Sequence, residues 1–407
     1  MAKEKNKRGQ GEWSFSQRNT DGLWTARKMF GRKADGKPNI VAFYGQTRTE
    51  VKEKAAAYEA TLAASRVAAV SKETIADYFE DWMKSRKTIS VKRTTYDTYE
   101  DTLTSRIKPF GIASVQMCNL SVELMQDYMN QLTKCDKNYS LGTITKTYNQ
   151  LNACFKDAEA AGDIAKNPMP YVKKPTEDSL VTKTTEMMFF TEDQALRLCE
   201  QAEMKFSNGV PKYYYGLTFE ILLKTGLRVG ELLDLKWGNV DLNEGTLKVV
   251  STRAYVKTRD EDTDNKRVSI SSSPKSKKSK RSIKLSKTAV EAFKNLRKQN
   301  LSYGLPVGPD DLVVMTKKGQ PGDDSNLNRS LEAIVTALGI PDASKYTVHS
   351  LRHTFATILL KKGVPVNVVS AILGHEKPST TYDIYAHVIN EQLDDIADII
   401  DHLGEGE

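Results

Sequence analysis

Between Glu73 and about Gly162 the apolar side chains recur at helical spacing and never alternate as strand residues do. Ile75, Tyr78, Phe79 and Trp82 mark one face; Ile144, Tyr148, Leu151 and Phe155, stepping by four, three and four, mark another. With no strand pattern in the stretch, such stripes have other helices of the same stretch to bury against. The stretch is therefore expected to be an all-helical body of about four helices, with further members near Thr95–Ile107 and Val122–Leu132. Ser140 is placed to cap the last helix and Gly162 to stop it. Asn167-Pro168, Pro170 and Pro175, followed by the polar run Thr176–Thr185, end the body in a linker.

The flanking segments read differently. Before the helical body, Trp24–Phe30 and Asn39–Tyr44 read as strands about the turn Asp35-Gly36-Lys37-Pro38, and a helix follows from Thr47 to about Leu62. Residues 63–72, small and Ala-rich, read as a linker. After the helical body, Thr191 with Gln194 opens a helix, and Leu217–Lys224 forms an apolar one. Leu247–Ser251, Arg267–Ser271, Ser282–Leu285 and Leu312–Met315 read as short strands, and further helices start near Lys287, Asn326, Ser350, Val366 and Thr380. The fold class expected is mainly α with small β-sheets, an α+β chain. Its expected domains are 1–65 (sheet plus helix), 73–175 (helical) and 189–407 (mixed).

Charge is unevenly placed. Residues 1–54 carry a net +7, residues 388–407 a net −7, and Lys275 to Lys284 holds six basic side chains and no acid. A basic arm, a basic loop and an acidic tail suit a polyanion, nucleic acid first; Arg27, Lys28, Arg32 and Lys33 on the early strands are candidates for entering a DNA groove. No apolar run reaches the ~18 residues of a membrane span. Cys118, Cys135, Cys154 and Cys199 are scattered without a C-x-x-C, which fits a reducing cytoplasm.

Histidine is the most informative residue type. Of five, four (His349, His353, His375 and His387) fall within 39 residues. His349 and His353 have the spacing of a helical zinc pair, but Ser350 stands where the metalloprotease motif needs glutamate, so no metal is expected. Arginines accompany them instead: Arg352 at i+3 from His349, and Arg228 in Thr225-Gly226-Leu227-Arg228 with Glu231 one turn on. Two arginines can grip a phosphate in bidentate fashion, imidazoles handle protons near neutral pH, and a tyrosine hydroxyl can attack covalently.

The motifs T-G-L-R-x-x-E-L (225–232), H-x-L-R-H-T (349–354), L-G-H (373–375) and T-T-x-x-I-Y-x-H (380–387) occur in that order, with Pro274–Ile283 as a lysine-rich stretch between the first two. Over 189–390 the chain resembles the tyrosine recombinases of the phage-integrase family. The helical middle resembles that family's core-site DNA-binding domain, and the first segment its arm-site domain.

The resemblance implies a site-specific integrase that cuts and rejoins DNA through a 3′-phosphotyrosyl intermediate and a Holliday junction, moving a mobile element without cofactor or metal. Arg228 and Arg352 would clamp the scissile phosphate, His349 would assist proton transfer and His375 would hydrogen-bond the phosphate. Lys275 would protonate the leaving 5′-oxygen, with Lys277, Lys278, Lys280 and Arg281 as DNA contacts. Tyr385 would be the nucleophile, with Tyr382 as its rival, and Glu231 would order the site beneath Arg228. His353 and His387 are expected only to orient helices. Expected partners are double-stranded DNA at core and arm sites, a homo-tetramer on DNA, an excisionase and a host DNA-bending protein, in the cytoplasm at a bacterial nucleoid. The stripe Ile389, Leu393, Ile396, Ile400, Leu403 would dock on a neighbouring protomer. The alternatives are a chromosome- or plasmid-dimer resolving recombinase and a non-catalytic DNA-binding regulator.

Overall fold

The computed structural model describes residues 13–32, 38–70, 73–180, 188–259, 267–273, 280–382 and 384–386. The chain divides into two compact units, Met1–Thr184 and Thr185–Glu407.

The first unit opens with an antiparallel sheet in the order β1 (Ser14–Gln17), β2 (Trp24–Arg32), β3 (Pro38–Gly45). Its register sets Ala26 between Phe15 and Phe43, and α1 (Arg48–Val70) covers this face with Val51 and Ala55. The helix is longer than expected: residues 63–70, read as linker from their small side chains, continue it. Strand alternation puts Lys28 on the covered face as well, where its ammonium meets Glu59 of α1 at 2.6 Å. Arg27, Met29, Ile40 and Tyr44 line the opposite face and are exposed.

The helical body follows. α2 (Ile75–Trp82) passes through a π turn (Met83–Lys87) into the short α3 (Thr88–Ser90), and α4 (Arg93–Thr102) into another π turn (Leu103–Ile107). α5 (Val122–Lys134) and α6 (Leu141–Ala161) complete it. Both predicted stripes are buried in one hydrophobic cluster. The hydroxyl of Ser140 caps α6, and Gly162 ends it at φ 80°.

In the second unit α7 (Glu192–Ala202) starts on a Thr191–Gln194 capping box. The apolar α8 (Gly216–Thr225) runs through the core and leads to α9 (Val229–Leu233). The strands form two sheets: β4 (Val240–Asp241), β5 (Thr246–Val249) and β8 (Arg281–Lys284) pair in the order β4-β5-β8, while β6 (Thr252–Lys257) and β7 (Arg267–Ser272) form a separate ribbon. Leu312–Met315 is not a strand. Leu312 and Met315 make only isolated bridges, to Lys236 and Pro321, and the buried Val313 and Val314 serve the core. α10 (Lys287–Ser302), α11 (Asp324–Ala337), α12 (Val348–Lys361) and α13 (Val366–Leu373) follow, then helical residues 378–382 and 384–386. No helix among the described residues is long and apolar enough to cross a membrane.

Candidate active site

α13 ends at Gly374, whose φ of 68° turns the chain left-handed. A helix C-terminus leaves its last carbonyls without intrahelical partners and carries the negative end of the helix dipole. Three consecutive carbonyls here each receive an arginine. Arg281 Nε donates to Ile372 O at 2.6 Å, Arg352 Nη2 to Leu373 O at 2.7 Å, and Arg228 Nη2 to Gly374 O at 3.1 Å. Arg352, only 2% exposed, also donates through Nη1 to Gly226 O at 2.7 Å. The two glycine turns of the sequence motifs thus hold the arginines through their carbonyl oxygens.

Glu231 sits at the hub. Its carboxylate accepts from Arg228 Nη1 (2.8 Å) and backbone N (2.9 Å), and takes Arg281 Nη1 and Nη2 side by side (3.0 and 2.9 Å). Burial pushes this carboxyl upward, but the hydrogen bonds and charge of Arg281, then of Arg228, outweigh it and leave the pKa below the ordinary value. Three guanidinium groups around one carboxylate leave a net positive cluster suited to an anion. Burial and the neighbouring Arg228 push the Arg352 pKa down, a cost that an anionic ligand would offset.

The imidazoles complete the arrangement. His375 Nε2 lies 3.0 Å from Arg352 Nη2 and its Nδ1 2.7 Å from the Thr381 hydroxyl. Burial, with Arg352 next, lowers its pKa to about 4, so the neutral ring accepts from the guanidinium. His349 is lowered by burial and by Arg352 and Arg228. His353 Nδ1 lies 2.8 Å from Tyr385 Oη, and burial raises the tyrosine to about 12 while the charge of Arg352 opposes the rise. Tyr385 is 1% exposed; Tyr382, its rival, is 48% exposed.

The structure therefore brings Arg228, Glu231, Arg352 and His375 together around the end of α13, with His349 and His353 on α12 and Tyr385 beside them. Two residues expected as DNA contacts sit otherwise. Arg281 is 7% exposed on its side chain and committed to Glu231 and Ile372, because strand alternation turns it inward with the buried Ile283. Lys28 is held by Glu59. Lys280 and Arg27 are exposed. Lys33, Lys275, Lys277, Lys278, His387 and the tail 388–407 lie outside the described residues, as does the side chain of Arg32. His353, expected only to orient a helix, is in contact with the tyrosine hydroxyl; its place directly after Arg352 was the available signal. No group of three or more His, Cys, Asp or Glu among the described residues is placed to hold a metal.

The Gly226 turn permits a direct check. Its φ is 62°, and a Cβ there would come within 2.4 Å of Phe355 Cδ1. Gly226→Ala is expected to lower stability by about 2 kcal/mol through backbone strain and this clash, and to slow any chemistry that depends on Arg352. Urea unfolding measures the first effect.

Residues 188–392 match the Phage integrase family, and residues 74–133 match the Phage integrase, N-terminal SAM-like domain. A curated relative, the "Tyrosine recombinase XerC-like" protein of Caldanaerobacter subterraneus subsp. tengcongensis, is 28% identical over 380 residues, 92% of this chain and 94% of its own. An "Integrase" of Streptomyces ambofaciens is 23% identical over 412 residues, 99% of this chain and 98% of its own. Among solved structures the Tn1549 transposon integrase, in complex with transposon right end DNA, superposes with a TM-score of 0.65 at 19% identity. It covers 80% of this chain and 99% of the other.

Proposed function

The chain belongs to the phage integrase family of tyrosine recombinases, and from that premise we propose that it is the site-specific integrase of a mobile element. The observation that carries the reading is the gathering of Arg228, Arg352 and His375 at the end of α13, with a buried tyrosine alongside. Arg228 and Arg352 clamp the scissile phosphate and stabilise charge on its non-bridging oxygens; His375 hydrogen-bonds the same phosphate in the tautomer that carries its proton on Nε2, with Nδ1 accepting from the Thr381 hydroxyl. Tyr385 Oη attacks phosphorus, the P–O5′ bond breaks, and Lys275 protonates the departing 5′-oxygen. The DNA is left on a 3′-phosphotyrosyl bond, and a 5′-hydroxyl from a second strand reverses the step. His349 assists proton transfer and Glu231 fixes Arg228.

Residues 1–65 form the arm-site module, 73–175 the core-site domain and 189–407 the catalytic domain. Arg27 on the open face of the first sheet supports groove contact by that module. Exchange proceeds in a homo-tetramer on two duplexes through a Holliday junction, with the tail docked on a neighbour and an excisionase and DNA-bending protein setting direction. The long match to a XerC-like relative keeps a dimer-resolving recombinase as a second reading.

Capture of covalent protein–DNA adducts in cells, followed by sequencing, is expected to return one pair of attachment sites. Adducts scattered without sequence preference would contradict site-specificity. Deleting residues 1–70 should abolish integration at the natural sites while cleavage of a core-site duplex persists; integration at full efficiency would favour the resolving recombinase.

A further inference from the structure

The hydroxyl of Tyr385 is bonded to His353 Nδ1 at 2.8 Å, and both side chains are buried, at 1% and 8% exposure. His349 lies one helical turn before His353 with its ring edge-on to it, centroids 4.5 Å apart. Given the reading of Tyr385 as nucleophile, we infer that His353 is a catalytic residue, the group that holds the attacking oxygen and takes its proton.

As Tyr385 Oη bonds to phosphorus, its proton passes to His353 Nδ1 and the O–H electron pair becomes the new O–P bond. The electron pair of the broken P–O5′ bond leaves on the 5′-oxygen, which takes a proton from the general acid. In the return step the 5′-hydroxyl gives its proton back to that general acid as its oxygen bonds to phosphorus, the P–O bond to Tyr385 breaks, and His353 returns the proton to Tyr385 Oη. The distance is that of an ordinary O–H···N hydrogen bond, so no rearrangement of the pair is needed for transfer.

The surroundings agree with this direction. The groups facing His353 are His349 and Arg352 from its own helix, His375 from the turn after α13 and Tyr385. Burial first, then these histidines and Arg352, lower its pKa to about 3, so the ring is unprotonated at neutral pH and free to accept. A phosphate bound against Arg352 would offset the repulsive part of that lowering, which burial leads. Phosphorus attack makes the phenolic proton acidic in the same step, so transfer is favourable only when DNA is in place. His353 thereby keeps the nucleophile protonated and idle until the arginines are occupied.

The test compares the full-length protein with His353→Ala and His353→Asn on duplexes carrying the sites recovered from adduct sequencing. One set has an ordinary scissile phosphate; the other has sulfur in place of the bridging 5′-oxygen. Both variants should cleave about 10²- to 10³-fold more slowly with DNA affinity unchanged. Their rates should climb with pH more steeply than that of the parent, as hydroxide replaces the missing base. The sulfur substitution should not rescue them, because a thiolate leaving group removes the need for an acid and not for a base. Asn keeps a polar atom near the Nδ1 position and guards against loss of folding in the Ala variant. Parental rates, faster cleavage (which would make His353 a restraint on the tyrosine) or rescue by sulfur would each overturn the inference. Adducts that persist in Tyr385→Phe would instead overturn the nucleophile assignment on which it rests.

Discussion

Tyr385→Phe is expected to eliminate covalent protein–DNA adducts, lowering strand cleavage by roughly 10⁴-fold or more, and to leave DNA affinity unchanged. The substitution removes one oxygen. The ring keeps its place in the buried cluster with Leu360, Val369 and Leu373, so packing is preserved. What is lost is the hydrogen bond to His353, worth about 1 kcal/mol in stability, and the only atom able to form the proposed phosphotyrosyl bond. Adduct formation is read on denaturing gels and affinity by fluorescence anisotropy. Residual adducts at a tenth of the parental level would move the nucleophile to another side chain, with the exposed Tyr382 the first to test.

The second large effect belongs to a residue that never meets DNA in this arrangement. Arg281→Ala removes one partner of a buried bidentate pair and leaves Glu231 with Arg228 as its remaining arginine. Removing one side of such a pair costs about 3 kcal/mol, because the remaining charge stays buried. The loss should reach cleavage as well, by roughly 10²-fold, since Arg228 is positioned through the same carboxylate and Arg281 anchors the strand that follows the lysine-rich stretch.

DNA binding separates this account from a phosphate contact. Lys280→Ala, at an exposed position, should weaken binding and reduce the slope of log K against log salt by about 1; Arg281→Ala should leave that slope unchanged. Acid sensitivity follows from the same carboxylate. Because the folded-state pKa of Glu231 is depressed, its stabilisation is complete above the ordinary carboxylate range and is lost as pH falls through the lower value. Arg281→Ala should shrink that acid-dependent component in denaturation measured from about pH 6 down to about pH 3, through and below the ordinary carboxylate range.

Much of this was legible in the sequence, and the failures have physical causes. The helical body could be read because its buried stripes are local: Ile144, Tyr148, Leu151 and Phe155 repeat within one helix, and Ser140 and Gly162 mark its ends. The cluster at the end of α13 could be anticipated from the motifs because glycine turns and arginines are adjacent in the chain. The ribbon strand Thr252–Lys257 was missed because it is only half-buried and its partner lies beyond a long polar stretch, so no clear alternation marks it. Leu312–Met315 had the composition of a strand, but strand status depends on a free neighbouring edge, which composition does not encode.

Lys28 and Arg281, both expected as DNA contacts, each meet a carboxylate of this chain. Strand alternation turns both of them inward. Lys28 shares the face of the fully buried Ala26, and Arg281 that of Ile283. What alternation could not supply were the distant carboxylates, Glu59 and Glu231, that make those inward positions tolerable. The contact of His353 with Tyr385 is not legible in the sequence for a related reason. Its partner lies 32 residues away, and only folding brings the hydroxyl of Tyr385 to it.

Tyr385, held beside the arginines gathered at the end of α13, is the residue proposed to form the covalent bond to DNA. The most direct test is to trap the adduct on a substrate with a sulfur-bridged scissile phosphate, digest protein and DNA, and map the modified peptide by mass spectrometry. The predicted result is a 3′-phosphonucleotide on Tyr385. The same mass on any other residue, or trapped DNA ends without attached peptide, would contradict it.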